Sequence, residues 1–397
     1  MSILLLNAGS SSLKATLMDP ANRQVLARAS ADWAGQVTRY ERSRPGAEKI
    51  VERVAFRGHG DAARRMLDDL GSTKAARPAA VGHRIVHGGA FRTAVRITPT
   101  VRARIAALSE LAPLHNPPGL EALDATETLL PDVPQVAVFD TAFHATLPEV
   151  ARTYPVPHTW TAEWGIARYG FHGLSHSYCA GRAAEMLARP IGELRLIICH
   201  LGHGSSATGV RNGKSVDTTM GFTPLDGLMM ATRSGSLDPG ILTHVQTKHG
   251  ISATELDATL NHRSGLLGVS GVSADMREVE VAADAGNARA RLALDVYAHR
   301  VRQAIGSLAV TLGGVDAVVF TAGVGENGAD LRANVCRGID CLGLELDLDA
   351  NHTARPDADV ARAGARARIL VIGTREDLAM LSEVTQVISA DAKGRTP

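Results

Sequence analysis

Residues 197–209, Ile-Ile-Cys-His-Leu-Gly-His-Gly-Ser-Ser-Ala-Thr-Gly, and residues 3–16, Ile-Leu-Leu-Leu-Asn-Ala-Gly-Ser-Ser-Ser-Leu-Lys-Ala-Thr, share one pattern. In each, a short continuous apolar run predicts a buried strand, and the run breaks into a Gly/Ser turn. Glycines let the backbone approach a ligand, and the amides and Ser hydroxyls of such a turn suit phosphate oxygens. Two copies about half a chain apart predict a duplicated strand-turn-strand unit with a phosphate held between the two halves.

The overall composition is that of an ordinary soluble globular protein. The 397 residues are enough for two or three domains, and 45% are hydrophobic and 21% charged. Lys and Arg number 42 against 41 Asp and Glu, so no global charge favours nucleic acid or an anionic membrane. The apolar run at 3–6 is too short for a signal peptide, and no run reaches the roughly 20 residues of a membrane span. We therefore expect a cytoplasmic protein without nucleic-acid or membrane partners.

The four cysteines are expected to be free thiols. Cys179, Cys199, Cys336 and Cys341 have no paired metal-ligand spacing. This usage is typical of a reducing compartment.

Two arginines lie where a solvated side chain is not expected. Arg84 interrupts the apolar strand predicted at 79–89, and a buried guanidinium needs an anionic partner. Arg233 lies in the middle of residues 217–240, which are rich in Gly, Thr and Pro and predict a long irregular loop. Long ordered loops are usually functional. Two guanidiniums suit carboxylate and phosphate oxygens.

Several polar residues have both a functional and a structural interpretation. Asp140 ends a predicted strand, which is where residues of α/β sheets face ligands, but it could equally form a turn. His115 lies between prolines, after a helix that we expect Thr100 to cap. Glu376 and Asp377 precede a terminal helix, where carboxylates could hold Mg²⁺ through water or stabilise the helix N-terminus.

His172 and His176 have the i, i+4 spacing of a zinc site. Gly173 lies between them, however, and no Glu follows the first His. We expect Ser175 to cap a helix that runs to about residue 187, which leaves His172 in the preceding loop.

A third glycine-rich segment occurs at 321–328, Thr-Ala-Gly-Val-Gly-Glu-Asn-Gly, after a strand predicted at 315–320. Its small residues predict a strand-to-helix turn that a flat ring or sugar could approach. Alone, this signal is weak, because Gly-x-Gly occurs in many α/β proteins.

In order along the chain, these motifs resemble those of the acetate kinase family. They are Asn-Ala-Gly-Ser-Ser-Ser-Leu-Lys at 7–14, Gly-His-Arg-Ile-Val-His-Gly-Gly at 82–89, Phe-Asp-Thr-Ala-Phe-His at 139–144, Tyr-Gly-Phe-His-Gly-Leu-Ser-His at 169–176, the loop around Arg233, and Phe-Thr-Ala-Gly-Val-Gly-Glu-Asn at 320–327. An ordered set that spans nearly the whole chain is far more specific than any single motif.

The resemblance implies the α/β fold of acetate and sugar kinases, Hsc70 and actin, with duplicated βββαβαβα cores around a central cleft. It implies an N-terminal domain of residues 1–144 plus 378–397, to which the C-terminal helix returns, and a nucleotide-binding domain of residues 145–377. It also implies a homodimer. The implied reaction is reversible in-line phosphoryl transfer from ATP to acetate, giving ADP and acetyl phosphate, with Mg²⁺ or alternatively Mn²⁺.

The resemblance also assigns site residues by position. Arg84 would bind the acetate carboxylate, and the pocket for its methyl group would be formed by Val86, Leu114, Phe171 and Pro224. The catalytic residues would be Asp140, His172, Arg233 and His115, and the metal would be served by Asn7 and Glu376. The nucleotide would be bound by Ser10, Ser12, Lys14, His200, Leu201, Gly202, His203, Gly204, Asp275, Met276, Arg277, Gly323, Val324, Gly325, Glu326 and Asn327.

The chemistry explains why such residue types are needed. Phosphoryl transfer is catalysed mainly by positioning and charge neutralisation. A carboxylate nucleophile is already ionised at neutral pH, so it needs no general base. We therefore expect Asp140 to organise Mg²⁺-bound water and the orientation of arginine, although the family position is often described as a proton donor or acceptor.

Four positions depart from the family pattern, and two rival functions stay open. The family usually has Asn at the position of His203, an aromatic residue at Met276, Asn at Arg375 and Asp at Ser236. The first three positions are on the nucleotide side, so they leave the nucleotide preference open.

A propionate kinase would use the same mechanism, and its substrate range would overlap, because one methylene in an apolar pocket is worth only about 1–3 kcal/mol. A non-catalytic nucleotide-binding relative would have to explain why both arginines, His172 and Asp140 are present.

Overall fold

The computed structural model describes residues 1–9, 12–33, 37–70, 77–112 and 115–393, except the side chains of residues 392 and 393. The chain divides into two compact units, a first unit of Met1–Phe143 with Arg375–Pro397 and a second unit of His144–Thr374. The predicted domain division at 144/145 and 377/378 stays a prediction.

Each unit contains one mixed β-sheet. The strands of the first unit are β1 (Ile3–Ala8), β2 (Ser12–Met18), β3 (Val25–Asp32), β4 (Arg39–Ser43), β5 (Ile50–Arg53), β6 (Ala80–Ile85), β7 (Val95–Arg96) and β8 (Gln135–Phe139). Those of the second unit are β9 (Arg195–Leu201), β10 (Ser205–Arg211), β11 (Lys214–Thr218), β12 (Ala317–Thr321), β13 (Ala358–Asp359) and β14 (Arg368–Val371).

The helices pack on these sheets and at their edges. They are α1 (His59–Asp69), α2 (Pro99–Ala107), α3 (Asn116–Leu129), α4 (Glu149–Arg152), α5 (His158–Trp164), α6 (Gly173–Met186), α7 (Pro239–His249), α8 (Ala253–His262), α9 (Gly265–Ser270), α10 (Met276–Asp284), α11 (Ala288–Leu312), α12 (Ala322–Asn327), α13 (Ala329–Cys336), α14 (Leu348–Thr353) and α15 (Glu376–Lys393). In the part of the chain that is described, no helix is both long and apolar enough to cross a bilayer.

The two sheets repeat one topology. The first has the order β5-β4-β3-β2-β1-β6-β8-β7, with β1, β2 and β3 antiparallel and β1, β6 and β8 parallel. The second has the order β11-β10-β9-β12-β14-β13, with β9, β10 and β11 antiparallel and β9, β12 and β14 parallel. The predicted α/β fold class and its duplicated core are therefore confirmed.

Helix α15 completes the core of the first unit, and a glycine makes this possible. A Cβ on Gly82 in β6 would lie only 3.0 Å from a methyl carbon of Leu5 and still closer to Val384 of α15. Met380, Leu381 and Val384 are consequently buried. The missing side chain lets the helix pack directly on the sheet.

The core of the second unit is built around α11, which packs on β9 and β10. Asn287 caps it by accepting a hydrogen bond from the Ala290 amide, and Gly313 ends it in the left-handed conformation with φ 70°. Asn is a favourable N-cap residue, and glycine adopts the left-handed conformation that ends a helix without strain.

Three local predictions were wrong. Thr98, not Thr100, caps α2, because Pro99 occupies the first helical position, where its fixed φ is favourable. Ser175 lies inside the first turn of α6, and His172 is the residue that precedes this helix. The segment expected to be a turn at 321–328 instead contains helix α12, which α13 follows almost at once.

Candidate active site

A row of polar side chains crosses the first sheet. Strand pairing places Asn7 of β1 opposite Lys14 of β2 and beside Arg84 of β6. Paired residues of adjacent strands project from the same face of a sheet. The strand register therefore brings together three of the predicted site residues.

Hydrogen bonds extend this row into a chain of four side chains. Arg84 Nε and Nη2 donate to the two carboxylate oxygens of Asp140 at 2.9 and 2.5 Å, and Nη1 donates to Asn7 Oδ1 at 2.9 Å. Asn7 Nδ2 in turn donates to Glu376 Oε2 at 3.3 Å. The side chains of Arg84 and Asp140 are only 16% and 1% exposed, so this fork is largely removed from water.

Opposing effects act on the charge of Arg84. Burial alone would lower the pKa of its guanidinium, but the charges of Asp140 and Glu376 outweigh burial and raise it. The positive charge is therefore firmly held.

The loop after β6 is fastened by a residue that the sequence analysis missed. Asn116, which is fully buried, accepts a hydrogen bond from the His87 amide and donates one to the His87 carbonyl, both at 3.1 Å. This ties the end of β6 to the start of α3, next to His115. Val86 is buried within the same segment. A buried Asn at the first position of α3 gave no recognisable sequence signal.

The predicted metal ligands suit a hard cation that also binds water and phosphate oxygens. Asn7 and Glu376 present amide and carboxylate oxygens, the ligand type that Mg²⁺ prefers, and they lie in one hydrogen-bonded chain. Among the described residues, however, no group of three or more His, Cys, Asp or Glu is placed to hold a metal. The protein would thus supply one or two ligands, and phosphate oxygens and water the rest.

In the second unit, Gly204 brings Arg233 and His172 together. A Cβ at Gly204 would lie 3.4 Å from Arg233 Nη1 and 3.4 Å from both Cε1 and Nε2 of His172. A cation and an imidazole therefore lie side by side against the backbone of the glycine-rich turn. This juxtaposition is tertiary and could not be read from residues that are 61 positions apart in the sequence.

Arg233 is a partly buried cation with no carboxylate partner among the residues that the structure describes. Its Nη1 donates to the Pro224 carbonyl at 3.4 Å and contacts Met230 Sδ at 3.9 Å. Burial lowers the pKa of the guanidinium, and no carboxylate of the described residues forms an ion pair with it. An anionic ligand would supply the missing charge.

Four histidines cluster near this point. The rings of His172 and His200 stack with their centroids 4.1 Å apart, and His176 lies within 6.4 Å of each. His144 donates from Nε2 to the carbonyl of Phe171 at 2.9 Å. This bond fastens the backbone just before His172, whose φ of 58° is unusual for a residue other than glycine.

The turn between β9 and β10 is held by its own backbone. Gly202 donates to the Gly204 carbonyl at 3.0 Å, and Ala231 donates to the His203 carbonyl at 3.2 Å. His203 projects from this turn, and partial burial of the ring, followed by the charges of Arg233 and His262, lowers its pKa. Leu201, by contrast, is fully buried in the hydrophobic core.

The predicted adenosine segments are ordered by buried polar groups. Glu326 Oε1 accepts hydrogen bonds at 2.9 Å from the amides of Ala322 and Thr374, which joins α12 to the end of β14. Arg332, which sequence analysis also missed, is buried and donates to the carbonyls of Gly325 and Glu326. A Cβ at Gly323 would meet no atom within 4 Å, so the backbone is open there.

The remaining predicted residues occupy varied positions. Asp275 caps α10 and pairs with exposed Arg277, while Met276 packs into the core of the second unit. Phe171 is buried within the second unit, and Ser12 begins β2. Ser10 and Leu114 lie outside the described residues.

Comparison with known proteins gives a consistent result. A model of the acetokinase family matches residues 2–382. An acetate kinase of Cyanothece sp. is 48% identical over 408 residues, which cover 99% of this chain and 100% of that protein. Solved structures of a Porphyromonas gingivalis acetate kinase and a Francisella tularensis propionate kinase each align with a TM-score of 0.90 at 39% identity. They cover 98% and 96% of this chain and 99% and 98% of their own chains, respectively.

Proposed function

This chain belongs to the acetokinase family, and from that premise we propose that it transfers a phosphoryl group reversibly and in line between ATP and acetate. The products are ADP and acetyl phosphate. The observation that carries the proposal is Arg233, a partly buried cation with no carboxylate partner among the described residues, lying beside His172 at a glycine-rich turn. Such a group suits the charge of a phosphoryl group in transfer.

Arg84 would bind the acetate carboxylate. A guanidinium has five N–H donors, and the hydrogen bonds to Asp140 and Asn7 use three of those of Arg84. Two N–H groups therefore remain for a ligand. Val86, Phe171 and Pro224, with Leu114, would enclose the methyl group.

Asp140 would orient Arg84 rather than move a proton. Its two carboxylate oxygens grip Nε and Nη2, which fixes the plane of the guanidinium. Acetate is already ionised at neutral pH, so the reaction needs no base to activate it.

Arg233 and His172 would stabilise the phosphoryl group during transfer. His115 would be a further catalytic residue close to them. Lys14, Ser10, Ser12 and residues 200–204 would contact the nucleotide phosphates, and residues 275–277 and 323–327 would frame the adenosine. Asn7 and Glu376 would hold Mg²⁺, with Mn²⁺ as an alternative ion. When bound, the ion neutralises negative charge on phosphate oxygens.

Propionate kinase is the second candidate, because the Francisella tularensis propionate kinase is as similar in fold and identity as the Porphyromonas gingivalis acetate kinase. Trapping of acyl phosphate as the hydroxamate, with acetate, propionate and butyrate in parallel, separates the two. We expect the highest kcat/KM with acetate. A higher value with propionate would favour the alternative, and ATP binding without any acyl phosphate would indicate a non-catalytic relative.

We further propose a cytoplasmic homodimer. The compartment is supported by the four cysteines, all of which are free thiols. The dimer rests on the family resemblance and is tested by sedimentation equilibrium.

A further inference from the structure

Ser206 links the side chains of two histidines in the second unit. It lies on β10, is fully buried, and its Oγ is 3.0 Å from Nδ1 of His172 and 2.8 Å from Nε2 of His176. A hydroxyl carries a single hydrogen. If both rings donated to Oγ, this hydrogen would need a third acceptor, and Ser206 Oγ has no hydrogen bond to any other described residue. The hydroxyl therefore donates to one of these ring nitrogens and accepts a hydrogen bond from the other. The choice of which nitrogen carries the proton in one ring therefore determines that choice in the other ring.

Two arrangements satisfy both hydrogen bonds. In the first, His176 donates from Nε2 to Ser206, and Ser206 donates to Nδ1 of His172. In the second, His172 donates from Nδ1 to Ser206, and Ser206 donates to Nε2 of His176. The first arrangement leaves the proton of His172 on Nε2, and the second leaves Nε2 without one.

The remaining nitrogen of His176 selects between them. Its Nδ1 is buried and has no hydrogen-bond partner among the described residues. The second arrangement would put the proton on this nitrogen, and a buried N–H without an acceptor is rare in proteins and costly. The first arrangement leaves only an unused lone pair, which is tolerated more often. Burial, with the neighbouring charges of His144 and His200, also lowers the pKa of His176 well below its usual value, so the ring is neutral.

We infer that Ser206 and His176 are positioning residues that hold His172 in the tautomer with its proton on Nε2. The Nε2 atom of His172 and Nη1 of Arg233 each lie 3.4 Å from the point at which a Cβ of residue 204 would stand. The chain of hydrogen bonds thus presents an N–H donor, rather than a lone pair, next to the guanidinium. A phosphoryl oxygen at this point would meet two donors.

The expected effect on turnover rests on the proposed function, whereas the tautomer itself does not. The direct test is therefore spectroscopic. Protein labelled with ¹⁵N at histidine gives two-bond ¹H–¹⁵N correlations that distinguish Nε2–H from Nδ1–H rings, and His172→Gln and His176→Gln assign the two signals. We expect both residues to carry the proton on Nε2. A wild-type His172 with its proton on Nδ1 would overturn the inference, whatever the behaviour of any variant.

Kinetics test the positioning role with matched variants. His176→Gln keeps an N–H donor for Ser206, His176→Leu removes it, and Ser206→Ala removes the hydroxyl. Loss of a whole oxyanion donor lowers kcat about 10²–10³-fold. These variants retain His172 and lose only its tautomer preference, so we expect about a tenfold lower kcat for His176→Leu and Ser206→Ala. The KM values for acetate and ATP should be nearly unchanged, and His176→Gln should retain most of the activity.

Equal activities of His176→Gln and His176→Leu would contradict the positioning role, because only His176→Gln keeps the N–H donor to Ser206 on which this role depends. If Ser206→Ala or His176→Leu fails to fold, the wild-type tautomer still decides the inference. A failure of the proposed function is recognised separately, since the wild type would then form no acyl phosphate.

Discussion

Arg233→Ala should lower turnover without lowering stability. The side chain lies beside His172 and Gly204 and is assigned to charge that develops during transfer. Removal of one such donor costs about 2.7–4 kcal/mol of transition-state stabilisation, which is about 10²–10³ in kcat. The KM for acetate should change little, because Arg84 is assigned to the carboxylate.

Stability should stay the same or rise in this variant. The folded protein lowers the pKa of Arg233 through burial, and no described carboxylate compensates the charge. Folding therefore works against a charged group that the unfolded chain solvates freely. Arg233→Ala removes this cost, as expected where a functional group is retained at the expense of stability.

The matched control is Arg195→Ala in the same unit. Arg195 pairs with Asp316 at 3.1 Å and donates to the Gly313 carbonyl at 2.8 Å, so its loss should lower Tm while kcat stays unchanged. Thermal unfolding and steady-state hydroxamate kinetics measure both quantities for each variant. A wild-type kcat in Arg233→Ala would refute the catalytic assignment. A fall in Tm as large as that of Arg195→Ala would show that Arg233 has a stabilising partner in the folded protein, contrary to the prediction.

Three further predictions concern residues of both units. Arg84→Ala should raise the KM for acetate and also lower the free energy of unfolding by about 3–5 kcal/mol, because it leaves buried Asp140 unpaired; urea unfolding that matches the wild type would contradict this. Val86→Ala should shift the ratio of kcat/KM values towards propionate by opening space for a methylene, and an unchanged ratio would place the acyl pocket elsewhere. His203 is largely neutral in the free protein because its pKa is lowered, and nearby phosphates would favour its protonated form, so ATP should bind more tightly as the pH falls. His203→Asn should give a flatter profile of ATP affinity against pH at fixed free metal, after correction for the titration of ATP; superimposable profiles would show that the ring does not meet the phosphates.

Predictions that depended on local pattern succeeded. The two Gly/Ser hairpins and the position of Asp140 directly after a strand follow from apolar runs that break at turn residues. The errors arose where one local signal displaced another. Thr100 is a reasonable cap in isolation, but Pro99 moves the cap to Thr98.

Tertiary partners explain the rest. The hydroxyl of Ser175 bonds to His200 and Thr374 instead of capping α6, and neither partner is near it in sequence. Arg84 was recognisable because a cation is rare in an apolar strand, and Arg233 because it lies in a long irregular loop. Ser206 and Asn116, by contrast, are small polar residues whose importance depends on what they contact. Sequence patterns identified the chemical groups, and the fold decides which of them meet.

Helix α15 has a consequence for how the protein is made. Strand β1 of the first unit starts at Ile3, yet the core of this unit is completed by Met380, Leu381 and Val384, which are synthesised after the whole second unit. All of His144–Thr374 is synthesised in between, which at about 5–20 residues per second takes on the order of ten seconds or more. During that interval the face of β6 around Gly82 lacks its covering helix, while the second unit, which is continuous in sequence, can fold. We therefore expect the nascent chain to expose an apolar sheet face that chaperones can bind, until α15 is synthesised and covers it.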